Sequence, residues 1–171
     1  MPENLIDFDA YVKELEAAAL QPKTQPEDCK PEYKADVLLL TCMDFRFFLE
    51  IAKRMEGIKY DHVILAGAAL GAVVPEKEKT WRRMFFDHLG LARQLHCIEK
   101  VIVMEHRGCG AYGPPPGFGE LPEHPDRDHE RHVHEKWVEK FRGTLPHDLE
   151  FDSFLLEVPT PSGPITFDKL K

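Results

Sequence analysis

The chain has 171 residues, 43% apolar and 30% charged, with a formal net charge of -8, a balance that suits one globular domain with a real core. That acidity argues against a nucleic-acid partner, which needs a basic face, and against docking on anionic lipid. Apolar runs such as Val37 to Leu40 are strand-sized, so no membrane span is expected, and the Met-Pro-Glu-Asn start carries no secretory pattern, which makes a cytoplasmic location the expectation.

Leu5, Phe8, Tyr11, Val12, Leu15 and Ala19 recur every three or four residues, so 3–20 is expected to form an amphipathic helix. Pro22, Pro26 and Pro31 among polar residues mark 21–35 as an extended linker. Such a helix must bury its stripe on its own domain or on a second subunit. The core follows from 36 to 171. Val37 to Thr41 reads as a strand buried on both faces, and Phe47 to Met55 as a helix. His62 to Ala66 reads as a second buried strand, and Ala66 to Val74 as a loop of small residues. A longer helix spans about Lys77 to Leu95, with Trp81, Met84, Phe85, Leu89, Ala92 and Leu95 on its inner face. Lys100 to Met104 is a third buried strand. Residues 113–130 form a Gly-, Pro-, Asp- and His-rich loop, and about His132 to Phe141 another helix. Phe151 to Val158 alternates as a strand, Pro159 to Gly163 turns, and Ile165 to Phe167 closes a hairpin. The alternation predicts a single α/β domain with a mostly parallel central sheet flanked by helices. An antiparallel C-terminal edge hairpin and an N-terminal helical arm complete it. Functional groups then gather beyond the carboxyl ends of the strands.

Two clusters sit at such ends: Cys42-Met43-Asp44-Phe45-Arg46 and His106-Arg107-Gly108-Cys109-Gly110. Zinc takes four tetrahedral ligands from thiolate, imidazole and carboxylate, and Cys42, His106 and Cys109 supply three. Soft thiolates favour zinc over magnesium or calcium. A fourth position left for water makes the site catalytic, and Asp44 in that position closes it. Asp44 and Arg46, two residues apart at a strand end, are placed to pair, which keeps the carboxylate ionised. The bland alternative is a purely structural ion pair. Cys97 is expected as core packing and Cys29 as a linker thiol. His124, His129, His132 and His134 lie among Asp126, Arg127, Asp128, Glu130 and Arg131, so a solvated helix start is expected there rather than a second metal site.

Cys-x-Asp-x-Arg after one strand, with His-x-x-Cys-Gly after a later one, resembles the pattern of the β-class carbonic anhydrases. The resemblance is good over roughly 35–112 and loose elsewhere. It implies zinc on Cys42, His106 and Cys109, an Asp44–Arg46 pair gating the fourth position, and reversible hydration of carbon dioxide to bicarbonate. It also implies a homodimer or higher homo-oligomer with the N-terminal helix reaching over the neighbour. Three departures bear on substrate. Ile64-Leu65-Ala66-Gly67 replaces the family's Arg-Asn-Ala-Gly, Phe45 replaces a small residue, and the 113–130 loop is long. Phe45, Leu65, Gly67, Leu70 and Gly110 are the candidate pocket residues. A greasier pocket suits carbon disulfide or carbonyl sulfide, substrates of related enzymes; a non-catalytic zinc-binding relative is the remaining alternative.

Overall fold

The computed structural model describes residues 31–74, 78–157 and 165–170. The expected helix over 3–20, nearly all of the linker and the turn at Pro159 to Gly163 lie outside them; Pro31–Tyr33 forms a single 3-10 turn.

Five strands form one sheet in the order β2-β1-β3-β4-β5. They are β1 (Val37–Thr41), β2 (Tyr60–Ile64), β3 (Lys100–His106), β4 (Glu150–Leu156) and β5 (Phe167–Lys169). The first four run parallel, and β5 pairs antiparallel to β4, Phe154 opposite Lys169. This is the expected α/β architecture with its antiparallel edge.

β1 is central, and all five of its residues are buried. Its side chains alternate between two cores, as a pleated strand requires. Leu38 and Leu40 point into the larger core, with Val101, Val103 and Leu155 from the other strands. Val37 and Leu39 point the other way, onto Phe47, Ile51 and Met55 beside Met104 and Leu156. Helix α1 (Phe48–Arg54) therefore covers one face. The opposite face is covered by α2 (Ala68–Val73), α3 (Arg83–His96) and α4 (Arg127–Arg142). Each apolar side chain so buried contributes about 1.5–3 kcal/mol.

Three expectations are corrected. The stretch from Ala66 to Val74 is not a loop, since Ala68–Val73 is helical and every residue in it is buried. A helix apolar all round has no stripe for periodicity to reveal. β2 begins at Tyr60 and ends at Ile64, two residues earlier than expected. It is the edge strand of the described sheet and only Val63 in it is buried. Finally, α4 begins at Arg127 rather than near His132. The Asp126 carboxylate caps it, accepting from the N–H groups of Asp128 (3.1 Å) and His129 (2.9 Å), a cap typically worth about 1 kcal/mol.

The register places the chemistry. Thr41, the last residue of β1, pairs with Met104 of β3, so Cys42 leaves the sheet beside the carboxyl end of β3, where His106 lies. The strand order reverses direction at β1, since β2 lies on one side and β3 on the other. That is the switch point where open parallel sheets leave a crevice.

Candidate metal centre

Cys42, His106 and Cys109 converge there, all three buried, with one ligand atom from each within 4.8 Å of the others. Among the described residues this is the only such cluster. The sulfurs of Cys42 and Cys109 are 3.7 Å apart and free of any disulfide. Gly67 N–H points at the Cys42 sulfur at 3.4 Å. The left-handed φ of +74° that aims it there is open to glycine at no steric cost. Hydrogen bonding from Cys109, with help from His106 and Gly67, pulls Cys42 down to about 4. The bond to that thiolate, and then burial, push Cys109 far up.

The His106 ring is held on two sides. Its Nδ1–H donates to the Arg107 carbonyl at 2.9 Å, and Phe47 stacks on it with centroids 4.4 Å apart. Fixing Nδ1 as the protonated nitrogen leaves the Nε2 lone pair for a ligand. Nε2 is buried and makes no hydrogen bond of ordinary geometry. Burial lowers the ring's basicity, but the Cys42 sulfur outweighs it and the net shift is upward. Two sulfurs and an orphaned imidazole nitrogen in one buried pocket are a soft donor set that fits zinc.

Asp44 lies at the rim, its Oδ2 3.9 Å from His106 Nε2. Arg46 grips it with Nε at 3.0 and 3.1 Å from the two carboxylate oxygens and Nη2 at 2.6 Å from Oδ2. The Arg46 backbone N–H adds a bond at 3.0 Å. The guanidinium holds Asp44 below the usual carboxylate range, and Asp44 raises Arg46 in return.

The turn from His106 to Cys109 is anchored by residues the sequence did not single out. Arg107, 6% exposed, reaches Glu157 at 2.8 Å, the Arg127 carbonyl at 2.8 Å and Glu130 at 3.0 Å. The other Glu130 oxygen accepts Gly108 N–H at 2.7 Å. Behind the turn, fully buried Glu105 accepts Ala69 N–H at 2.8 Å and faces His134 Nδ1 at 3.2 Å. Tyr112 packs on His134 with centroids 4.0 Å apart, and burial, then the Glu105 charge, push its hydroxyl well above the ordinary value.

The solvated reading of the histidine segment holds for His124, His129 and His132 but not for His134, nor for Glu130, 6% exposed. A signal was present. Glu130, Val133, His134, Trp137, Val138 and Phe141 recur at spacings of three and four, one buried face. Cys97 is buried as expected, but it is disulfide-bonded rather than simply packed.

A cavity of about 590 Å³ borders Cys109, lined by Trp81, Phe118, Leu121 and several prolines of the 114–125 loop. Gly110 lines it, as does Ala66. Leu65 and Leu70 instead belong to the large core, and Phe45 is 82% exposed. Gly67 packs against Ala111, which leaves about 3.0 Å for an added Cβ.

Over 94% of its length the chain superposes on a carbonic anhydrase from Streptococcus mutans, covering 96% of that chain, at 18% identity and a TM-score of 0.49. It superposes on a carbon disulfide hydrolase over 91% of its length and 90% of that chain, at 18% identity and a TM-score of 0.44. Two curated relatives, both uncharacterized proteins, align over 90 residues, half of this chain. One is from Rickettsia bellii (38% identity, 54% of its length) and one from Rickettsia conorii (34%, 48% of its length). The chain thus spans about half the length of the curated relatives it matches. No family model matches it.

Among the described residues no helix is long and apolar enough to cross a membrane.

Proposed function

We propose that the chain is a zinc enzyme that reversibly hydrates carbon dioxide to bicarbonate, with Cys42, His106 and Cys109 holding the metal. One observation carries this reading. Two sulfurs and the orphaned Nε2 of His106 meet in a buried pocket, with an ionised carboxylate, Asp44, 3.9 Å from that nitrogen. Bound zinc supplies Lewis acidity that makes water nucleophilic near neutral pH. Asp44, kept ionised by Arg46, accepts a proton at the rim and orients the attacking oxygen. Arg46 holds the carboxylate turned from the three ligands, where it would otherwise complete the donor set. Phe47 and the Arg107 carbonyl fix the His106 ring. A homodimer or higher homo-oligomer, joined through the N-terminal helix, belongs to the same proposal.

The test is stopped-flow carbon dioxide hydration on metal-quantified protein at pH 7 and near pH 9, with Cys42→Ser as the metal-free control. Zinc-dependent turnover that Cys42→Ser abolishes is expected. Full zinc occupancy without turnover at either pH refutes the reaction. A second reading rests on the cavity against Cys109, whose walls of Trp81, Phe118, Leu121 and prolines suit a less polar substrate. It assigns hydrolysis of carbon disulfide or carbonyl sulfide, and turnover of both substrate types by one preparation separates the two.

A further inference from the structure

The metal ligands do not stand on the sheet alone. His106 is the last residue of β3, whereas Cys109 lies three residues beyond it, on a turn that contains Gly108 at a φ of +64°. A short turn of this kind holds its shape only where its backbone groups are satisfied. Its Gly108 N–H is satisfied by a carboxylate from α4, that of Glu130, at 2.7 Å. The second oxygen of the same carboxylate accepts from Arg107 Nη1 at 3.0 Å. Arg107 and Gly108 are the two residues between the ligands. One buried side chain therefore grips both of them. Burying a carboxylate is costly unless it is paired and bonded, and here each oxygen has a donor.

We propose that Glu130 is a positioning residue of the metal centre, fixing the turn that sets Cys109 relative to His106. The proposal rests on the zinc reading above. The Glu130 bonds run to Arg107 and Gly108 rather than to a ligand side chain, so its effect passes through backbone geometry. Glu157 is the contrasting group. It bonds Arg107 at 2.8 Å and Arg127 at 2.6 Å and accepts nothing from Gly108. It shares the ion network but not the grip on the turn.

Glutamine at 130 has one acceptor oxygen and an amino group that must face one of the two donors. Glu130→Gln therefore breaks one of the two bonds without changing the volume. Glu130→Asp keeps the charge but draws the carboxylate back by one methylene, and serves as the second variant. The readouts are zinc affinity by chelator competition and the visible bands of the cobalt(II)-loaded protein, which report ligand geometry. Partners behind metal ligands typically contribute about 10- to 100-fold in affinity. Both variants are expected to lose affinity in that range, with shifted cobalt bands. Glu157→Gln is expected to lower the melting temperature while leaving affinity and bands as in the native chain. Native affinity and bands in both Glu130 variants overturn the proposal, as does an equal loss of affinity in Glu157→Gln. A native chain that binds no zinc instead overturns the reading beneath it.

Discussion

Arg46→Ala tests the arrangement at the rim most directly. The guanidinium makes three contacts of 2.6–3.1 Å to Asp44, and only the Arg46 backbone N–H bond at 3.0 Å survives the substitution. The Arg46 side chain is 37% exposed, so solvent screens the pair. Exposed pairs contribute about 0.2–1 kcal/mol, and this bidentate geometry places it near 1 kcal/mol. The melting temperature should therefore fall by only about 2–4 °C. The functional effect is larger. The same 1 kcal/mol or slightly more is about a 5- to 10-fold shift in favour of a carboxylate turned toward the three ligands. Asp44 has only 3.9 Å to cover to His106 Nε2. Zinc affinity is therefore expected to stay constant or rise, while hydration at pH 7 falls about 5- to 10-fold. Chelator competition and stopped-flow hydration on one preparation measure both. Native turnover with native affinity would refute Arg46 as the group that restrains Asp44.

Two further outcomes follow from packing and charge. A Cβ at Gly71 would lie 2.4 Å from the Ala66 carbonyl oxygen and 3.3 Å from Trp81, so Gly71→Ala must displace backbone. A loss of about 1–3 kcal/mol is expected in denaturant melts, and an unchanged midpoint would mean that α2 yields more easily than its packing implies. Asp152 bonds Lys100 and Lys169, and those partners, Lys100 first, hold it below the ordinary aspartate value of 3.8. Its contribution is thus present above about 3.8 and is lost as pH falls through the lower folded value. Asp152→Asn should be about 1 kcal/mol less stable than the native chain at pH 7 and converge with it in strong acid. Urea midpoints that stay equally far apart at both pH values would contradict that.

What was legible in the sequence follows the physics of each signal. β1 matches its expected bounds because Val37 to Leu40 is continuously apolar and buried on both faces. The convergence of Cys42, His106 and Cys109 was legible because each half-motif follows a strand, and parallel pairing of β1 with β3 joins them. α2 was not, since Ala68 to Val73 offers no polar face to set a period. Nor were Glu130 and Arg107, whose charges look like surface until the fold pairs them across 23 positions. Leu65 and Leu70, apolar in the sequence, lie in the large core. The Asp44–Arg46 pairing was legible from spacing, but its cause is a turn rather than an extended strand end: β1 stops at Thr41, and the Asp44 carboxylate accepts the Arg46 backbone N–H within a turn that Phe47 N–H closes on the Asp44 carbonyl.

Helix α2 also bears on how such a site can diversify. All six of its residues are buried, none is bulkier than leucine, and its Ala69 N–H is held by Glu105. Enlargement at Gly71 meets backbone within 2.4 Å. α2 thus has almost no spare volume, and a larger side chain there costs packing first. The cavity against Cys109 is lined instead by Phe118, Leu121 and Glu123 of the 114–125 loop. Room for larger side chains therefore lies on that loop rather than in α2.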